Sequence, residues 1–170
     1  LFEGRPVTTR GQWINPFVKT HLRIWKGISW SRSVKKPIFI LGAGRSGTTI
    51  LGVVMSMHKE IGFLNEPKAL WHMIHPNEDV GGSYSKTDVK YRLTEKDVTA
   101  AMRKIAGRLY GGFLTLTSST RLVDKYPELS FRVPFVLDIF PDSKFIFLSR
   151  NGWDVCASID TWSTNHGSEH

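Results

Sequence analysis

Short, unbroken apolar runs separate longer stretches in which apolar residues recur with helical spacing. The segments 38–41 and 145–148 consist entirely of Ile, Leu and Phe. Runs of this length, bounded by glycine or polar residues, predict strands of a parallel sheet that is covered on both faces. Two further segments, 61–64 and 121–123, predict additional short strands.

Apolar residues with helical spacing follow these runs. The segment 50–57 is apolar nearly all round and predicts a buried helix. Apolar positions at 101–109 predict a helix that the glycines at 111–112 end. A proline at a helix start predicts a helix over 127–139, kinked at Pro134. Because strands alternate with helices, we expect an α/β fold with a central parallel sheet flanked by helices.

Length and composition narrow the class of protein. A chain of 170 residues suffices for one domain with its own core. The single cysteine, Cys156, excludes an internal disulfide framework and a cysteine-based zinc site, and we expect it to lie in the core. No apolar run is long enough to span a bilayer. With one cysteine and no visible anchor, we expect a cytoplasmic protein.

The positive charge of the chain is concentrated in an N-terminal arm, residues 1–36. Residues 1–37 contain eight Lys or Arg and one acid, Glu3, whereas residues 38–170 contain 15 bases and 14 acids. The net charge of +8 therefore belongs mainly to the arm. The remaining domain, 37–170, is nearly neutral, so we expect no nucleic-acid partner.

The arm contains one amphipathic pattern. Phe17, His21, Ile24 and Ile28 have helical spacing, with Val18 and Trp25 beside them, and basic residues fall on another face. This pattern is compatible with a helix packed on the domain and with a helix lying on an anionic membrane. Residues 13–30 are therefore a possible peripheral membrane contact.

A glycine-rich turn connects the first predicted strand to the helix that follows, and such a turn is an anion site. Gly42, Gly44 and Gly47 satisfy the dinucleotide pattern G-x-G-x-x-G. The same glycines satisfy half of the ATPase P-loop pattern, but Thr48 stands where that pattern has lysine. A third interpretation uses Arg45 and the neighbouring hydroxyl groups to bind one compact phosphate.

Three segments together resemble the sulfotransferases that use 3′-phosphoadenosine 5′-phosphosulfate (PAPS). Residues 39–49 resemble the 5′-phosphosulfate loop of the family, 140–158 its 3′-phosphate segment, and 124–127 its acidic-Lys-x-Pro segment. The resemblance implies a three-layer, P-loop-like fold whose family domain continues beyond residue 170. It also implies PAPS as donor, 3′-phosphoadenosine 5′-phosphate as product and no metal. The implied donor-binding residues are Gly44, Arg45, Ser46, Gly47, Thr48, Thr49, Arg150 and Ser158.

The resemblance also implies three catalytic residues. Arg45 would stabilise the leaving phosphate, Lys125 would be a second cation, and Glu66 would be the general base. Each residue has a plainer interpretation. Glu66 could be a charge at a helix N-terminus, and Lys125 could be a solvated partner of Asp124 or Glu128.

Two further alternatives concern neighbouring polar groups. Arg150 could form a surface ion pair with Asp154. His72 and His75 are rival bases, one helical turn apart, although the sequence offers no third ligand that would make them a metal site.

The acceptor class also follows from the resemblance. Glu66-Pro67, followed by Leu70-Trp71-His72, is similar to the carbohydrate sulfotransferases, so we expect a hydroxyl acceptor on a carbohydrate or glycolipid. The alternatives are another P-loop enzyme such as a kinase, and a binding module that holds a nucleotide without turnover.

Overall fold

A computed structural model describes residues 15–78 and 89–166 of the chain. The helices and strands within these ranges are α1 (Asn15–Trp25), β1 (Ile38–Gly42), α2 (Thr48–Ser56), β2 (Ile61–Asn65), α3 (Lys68–Ile74), α4 (Ala100–Leu116), β3 (Arg121–Lys125), α5 (Val133–Ile139), β4 (Lys144–Leu148) and α6 (Gly152–His166). Short 3₁₀ helices lie at Pro76–Glu78, Glu95–Asp97 and Pro127–Phe131.

The four strands form one parallel sheet in the order β2-β3-β1-β4. Ile40 of β1 pairs with Lys125 of β3, and Lys125 also pairs with Asn65 at the end of β2. On the other side of β1, Gly42 pairs with Leu148 at the end of β4. The carboxyl ends of all four strands therefore meet at one edge, where α/β sheets bind ligands.

Helices cover both faces of this sheet. Gly62 in β2 faces Phe113 of α4, and the next residue, Phe63, faces Gly52 of α2. Because successive side chains of a strand point to opposite faces, α2 and α4 lie on opposite sides, and α3 and α5 pack beside α4. This arrangement confirms the predicted α/β class, with a central parallel sheet flanked by helices, and it fits a P-loop-like fold.

The main core lies between the sheet and α3, α4 and α5, and aromatic side chains are interleaved there with a larger number of aliphatic ones. The ring of Trp71, on α3, is fully buried. It lies 5.7 Å from Tyr110, 6.2 Å from Phe39 and 6.3 Å from Phe135 between ring centroids. These tilted and edge-on contacts stabilise the core beyond the area they bury, and they hold α3 against the sheet.

A buried ion pair joins two parts of the chain at the margin of this core. Arg132 donates to the Glu78 carboxylate and, at 3.1 Å, to the Glu78 carbonyl. It also donates to the carbonyls of Lys90 and Tyr91, each at 3.2 Å. Burial raises the pKa of Glu78 to about 7, although the Arg132 charge acts in the opposite direction. One guanidinium group thus connects Glu78 to Lys90 and Tyr91.

The prediction that the glycines at 111–112 end a helix was wrong. Helix α4 runs through both of them to Leu116. A Cβ on Gly111 would lie 2.5 Å from the Arg32 carbonyl, and one on Gly112 would lie 2.7 Å from the Trp30 indole nitrogen. These glycines therefore accommodate the segment after α1, which packs directly on the helix backbone.

The prediction of one kinked helix over 127–139 was also wrong. A 3₁₀ helix ends at Phe131, and α5 begins at Val133 after Arg132, whose φ of −135° lies outside the helical region. Pro134 occupies the first turn of α5, where its missing N–H costs no hydrogen bond. Proline begins a second helix here and does not bend the first.

Two expectations of burial also fail near the end of the chain. Strand β4 lies at the edge of the four-stranded sheet, and its Phe147 is exposed. Cys156 is exposed on α6 and does not lie in the core. Both residues belong to apolar stretches of sequence, so local pattern alone could not tell that their neighbours leave them uncovered.

In the arm, α1 packs on α3 and α4 through Leu22 and Trp25, which are both buried. Of the apolar positions predicted from sequence, Trp25 makes this contact, whereas Phe17, Ile24 and Ile28 are exposed. Residues 1–14 lie outside the described ranges, so the domain boundary at residue 36 stays a prediction. None of the helices within 15–78 and 89–166 is long and apolar enough to cross a membrane.

Candidate active site

The glycine-rich turn begins where β1 ends and delivers the chain to α2. Gly42, Arg45 and Gly47 adopt φ values of 142°, 65° and 94°. A Cβ on Gly42 would lie 2.5 Å from the carbonyl oxygen of Leu148. Glycine is therefore required at position 42 both by its φ and by the close approach of β4. Arg45 itself is exposed at the tip of this turn.

The amino end of α2 has the composition of an anion site. Gly47 provides no side-chain cap, and the first turn of the helix contains no acidic residue. Its first amide groups are thus left for a ligand. A Cβ on Gly44 would meet nothing within 4 Å, so the space beside the turn is open. The predicted residues Ser46 and Thr48 are buried and Thr49 is half-buried, in line with a phosphate cradle built mainly from backbone.

One hydroxyl group that the sequence analysis missed supports this turn. Ser130, in the 3₁₀ helix after β3, accepts a hydrogen bond from the Gly42 amide at 3.2 Å. It lies 88 positions from Gly42 in the chain, so no local pattern connects the two residues. The sequence signal was indirect, since Ser130 follows the acidic-Lys-x-Pro segment by three residues.

The two residues predicted to bind the 3′-phosphate, Arg150 and Ser158, contact the glycine-rich turn. Arg150 donates from Nη1 to the carbonyl oxygen of Arg45 at 3.1 Å, and Arg45 donates from Nε to the hydroxyl of Ser158 at 3.2 Å. Arg150 follows β4 and Ser158 lies on α6, so the sheet edge brings three predicted donor-binding residues together. Among the described contacts, Arg150 thus hydrogen-bonds to the backbone of the glycine-rich turn and does not pair with Asp154.

Glu66 and Lys125 form an ion pair at the same edge of the sheet. Lys125 Nζ lies 2.5 Å from Glu66 Oε1, and the two side chains are 2% and 28% exposed. The pairing follows from the sheet, because Glu66 comes directly after Asn65, the β2 residue beside Lys125. Lys125 is therefore a buried partner of Glu66 and not a solvated lysine. Glu128 pairs with Lys68 instead, at 3.6 Å.

The backbone of Glu66 is held in an uncommon conformation. Its φ of 53° lies in the left-handed region, which non-glycine residues seldom adopt. Its amide donates to the carbonyl of Lys125 at 2.6 Å. This hydrogen bond extends the β2–β3 pairing by one residue and turns the chain into α3. Such local strain clusters at functional sites, and here it directs the carboxylate toward Lys125.

The buried carboxylate of Asp124 belongs to the residue that precedes Lys125 in β3. Asp124 Oδ2 accepts hydrogen bonds from the Tyr110 hydroxyl at 2.6 Å and from Trp71 Nε1 at 3.1 Å. Burial raises the pKa of Asp124 to about 7, while both donors and the Lys125 charge favour its ionised form. These bonds connect β3 to α3, the helix that Glu66 precedes, and to α4. Asp124 thereby fixes the elements that carry the Glu66–Lys125 pair.

His72, on α3, and His75, directly after it, contact groups other than the Glu66–Lys125 pair. His72 Nδ1 lies 3.2 Å from the carbonyl oxygen of Pro76. His75 is buried beside Phe135, and burial lowers its pKa. No group of three metal-ligating side chains occurs among residues 15–78 and 89–166.

The chain is similar to known proteins over most of its length. The model of the sulfotransferase family matches residues 37–169. Nodulation protein NoeE of Sinorhizobium fredii is 28% identical in an alignment of length 143 that covers 77% of this chain and 33% of NoeE. An uncharacterized protein of Aquifex aeolicus is 28% identical in an alignment of length 149 that covers 80% of this chain and 18% of that protein. The chain thus spans about a third or less of the length of these relatives.

The family match begins before β1 and ends beyond α6, so it includes the glycine-rich turn, the Glu66–Lys125 pair and the Arg150–Ser158 segment. The resemblance inferred from three short segments is confirmed over most of the chain. The chain belongs to the sulfotransferase family.

Proposed function

We propose that this chain binds PAPS and transfers its sulfuryl group to a hydroxyl group of an acceptor. The observation that carries the proposal is the Lys125–Glu66 ion pair, which lies at the sheet edge where the glycine-rich turn also emerges. PAPS supplies the sulfuryl group when it is bound. The residues of the chain bind the two phosphate positions of the donor and handle the proton of the acceptor.

The donor would be held by the turn and by the segment after β4. The amides at the start of α2, with Gly44, Ser46, Gly47, Thr48 and Thr49, would surround the 5′-phosphosulfate. Arg150 and Ser158 would bind the 3′-phosphate, since Arg presents a planar fork that suits oxyanions. The contacts of Arg150 and Ser158 with Arg45 support a site in which both ends of one small nucleotide are held together.

Catalysis would depend on one base and two cations. Glu66 would accept the proton of the acceptor hydroxyl as its oxygen takes the sulfuryl group. Lys125 donates a hydrogen bond to Oε1 of Glu66, which would orient the carboxylate and leave Oε2 to accept the proton. Arg45 would stabilise the negative charge on the leaving phosphate, and Lys125 the charge near the transferring group. Group transfer of this kind is catalysed mainly by positioning and by fixed cations.

We further propose an acceptor hydroxyl on a carbohydrate or glycolipid, because Glu66-Pro67 and the start of α3 resemble the carbohydrate enzymes. A kinase is disfavoured, since Thr48 occupies the position of the lysine that binds β/γ-phosphates. No metal is needed for the roles assigned here. The cytoplasmic location stays a prediction.

The first test is calorimetric titration with 3′-phosphoadenosine 5′-phosphate, beside ATP, adenosine 5′-phosphosulfate and NAD. We expect saturable binding of the bisphosphate and much weaker binding of the other three, because only the bisphosphate fills both anion positions. Preferential binding of ATP or NAD, or absence of bisphosphate binding, would contradict the proposal.

The second test separates an enzyme from a binding module. Glu66→Gln removes the base but preserves shape, and Glu60→Gln is the matched control at the opposite end of the same strand, where the side chain is exposed. We expect release of 3′-phosphoadenosine 5′-phosphate from PAPS, in the presence of oligosaccharide acceptors, to fall by about 10²–10⁴-fold in Glu66→Gln only. Bisphosphate affinity should be unchanged in both. Equal turnover of the two variants would remove Glu66 from the mechanism.

A further inference from the structure

Helix α1 has two apolar faces, and only one of them is covered. Leu22 and Trp25 pack on α3 and α4 and are buried. Phe17, Ile24 and Ile28, here called the outer stripe, are 75%, 58% and 39% exposed. Their spacing of seven and four residues places them on one side of the helix and of the turn that extends it. The outer stripe therefore lies beside the docked face and is open to solvent.

The helix cannot cover the outer stripe by rotating. Arg108 Nη1 donates to the carbonyl of Lys26 at 2.9 Å, and the Trp25 ring lies 5.4 Å from that of Trp30. Trp30 in turn packs against Gly112 of α4. Rotation would break these contacts and would expose Leu22 and Trp25. The outer stripe thus stays on the surface while the domain is folded.

The segment that carries the outer stripe is basic, with its bases on another face of the helix and in the chain that follows. Residues 15–37 contain six Lys or Arg and no Asp or Glu, and Arg23, Lys35 and Lys36 among them are exposed. Helix α2, which the sequence predicted to be buried, exposes a second apolar stripe that includes Val54 and continues to Met57 just after the helix. Helix α2 contains no charged residue. The two stripes are therefore alike in apolar character and differ in charge.

We propose that the outer stripe of α1 docks on an anionic membrane surface. The apolar side chains would enter the boundary between headgroups and acyl chains, while the bases of residues 15–37 attract acidic headgroups. An exposed aromatic residue with aliphatic neighbours and a positive field is the combination that such a surface binds. The proposal concerns the arm alone and does not depend on sulfotransfer.

The test is co-sedimentation of the whole chain with vesicles. We expect binding to vesicles of phosphatidylcholine mixed with phosphatidylserine, little binding to phosphatidylcholine alone, and release at high salt. Phe17→Ser/Ile24→Ser should lower the partition coefficient by about tenfold or more, because it removes the deepest apolar contacts. Val54→Ser/Met57→Ser, which changes the α2 stripe, should bind as the wild type does.

Three results would overturn the proposal. The first is no binding of the wild-type chain to the phosphatidylserine vesicles. The second is unchanged binding of Phe17→Ser/Ile24→Ser, and the third is an equal loss in both double variants, which would indicate unspecific adhesion. Because all four substituted side chains are exposed, circular dichroism and thermal unfolding should match the wild type. If the chain binds a nucleic acid and no vesicles, the first of these results holds and the arm binds another polyanion.

Discussion

Replacing Asp124 by asparagine should change how the stability of the domain depends on pH. Asp124 is fully buried, and its pKa rises from 3.8 to about 7 on folding because burial disfavours the charged form. A carboxyl group whose pKa is raised by folding stabilises the folded state, and this stabilisation is complete at pH values below the pKa of the group in the unfolded chain. That contribution is lost progressively as the pH rises toward the folded pKa of about 7. The carboxamide of the Asp124→Asn variant cannot ionise, so the variant lacks this loss.

The magnitude follows from the shift. The difference between 3.8 and about 7 is about three pH units, and at about 1.4 kcal/mol per unit it corresponds to about 4 kcal/mol. Roughly 2.5 kcal/mol of this change falls between about pH 5 and about pH 8. The assay is urea unfolding of wild type and Asp124→Asn at both pH values, with the free energy of unfolding obtained by linear extrapolation.

We compare the free energy of unfolding of Asp124→Asn with that of the wild type at each pH. The value for the variant minus the value for the wild type should increase by roughly 2.5 kcal/mol from about pH 5 to about pH 8. Oδ1 of Asp124 has no hydrogen-bond partner among the described residues, so the new amide also lacks one, and the variant carries a constant penalty. That penalty shifts the curve without changing its slope. Glu78, whose pKa is also raised to about 7, affects both proteins alike. Parallel curves would refute the reasoning.

Three further substitutions test other contacts by unfolding and by titration with 3′-phosphoadenosine 5′-phosphate. Gly42→Ala should destabilise by about 1–3 kcal/mol and abolish bisphosphate binding, because its φ of 142° and the Leu148 carbonyl leave no room for Cβ; normal affinity would contradict this. Arg132→Ala should cost about 3–5 kcal/mol, since the buried Glu78 carboxyl loses its ion-pair partner; a loss under about 1 kcal/mol would contradict it. Ser130→Ala should weaken bisphosphate binding by about fivefold, as it removes the acceptor for the Gly42 amide; an unchanged dissociation constant would exclude that role.

Local patterns carried the prediction of the strands and of the anion-binding turn. Segments 38–41 and 145–148 become β1 and β4 almost without change of bounds. A strand, a glycine-rich turn and a helix are consecutive in the chain, so their geometry is a short-range property. The same locality explains why the turn could be read in three ways, since the groups that distinguish the ligands come from distant segments.

Other features depend on elements that are neighbours only in the folded chain. Glu66 and Lys125 are separated by 59 positions, and they meet because β2 pairs with β3 and not with β1. Similarly, α4 passes through Gly111 and Gly112 because the segment after α1 packs on it. A helix-ending signal is a weak local preference, and tertiary packing overrides it.

The sequence by itself determined the α/β class, the position of the turn and the identity of the charged residues around it, because periodicity and spacing are recorded in neighbouring residues. The tertiary structure alone decided which partner each charged residue has and which apolar faces stay open. Lys125 is the buried partner of Glu66, and α1 packs on the domain through Leu22 and Trp25 while the outer stripe stays exposed. Charge pairing and burial depend on long-range contacts, whose entropy cost is met only when the whole fold forms.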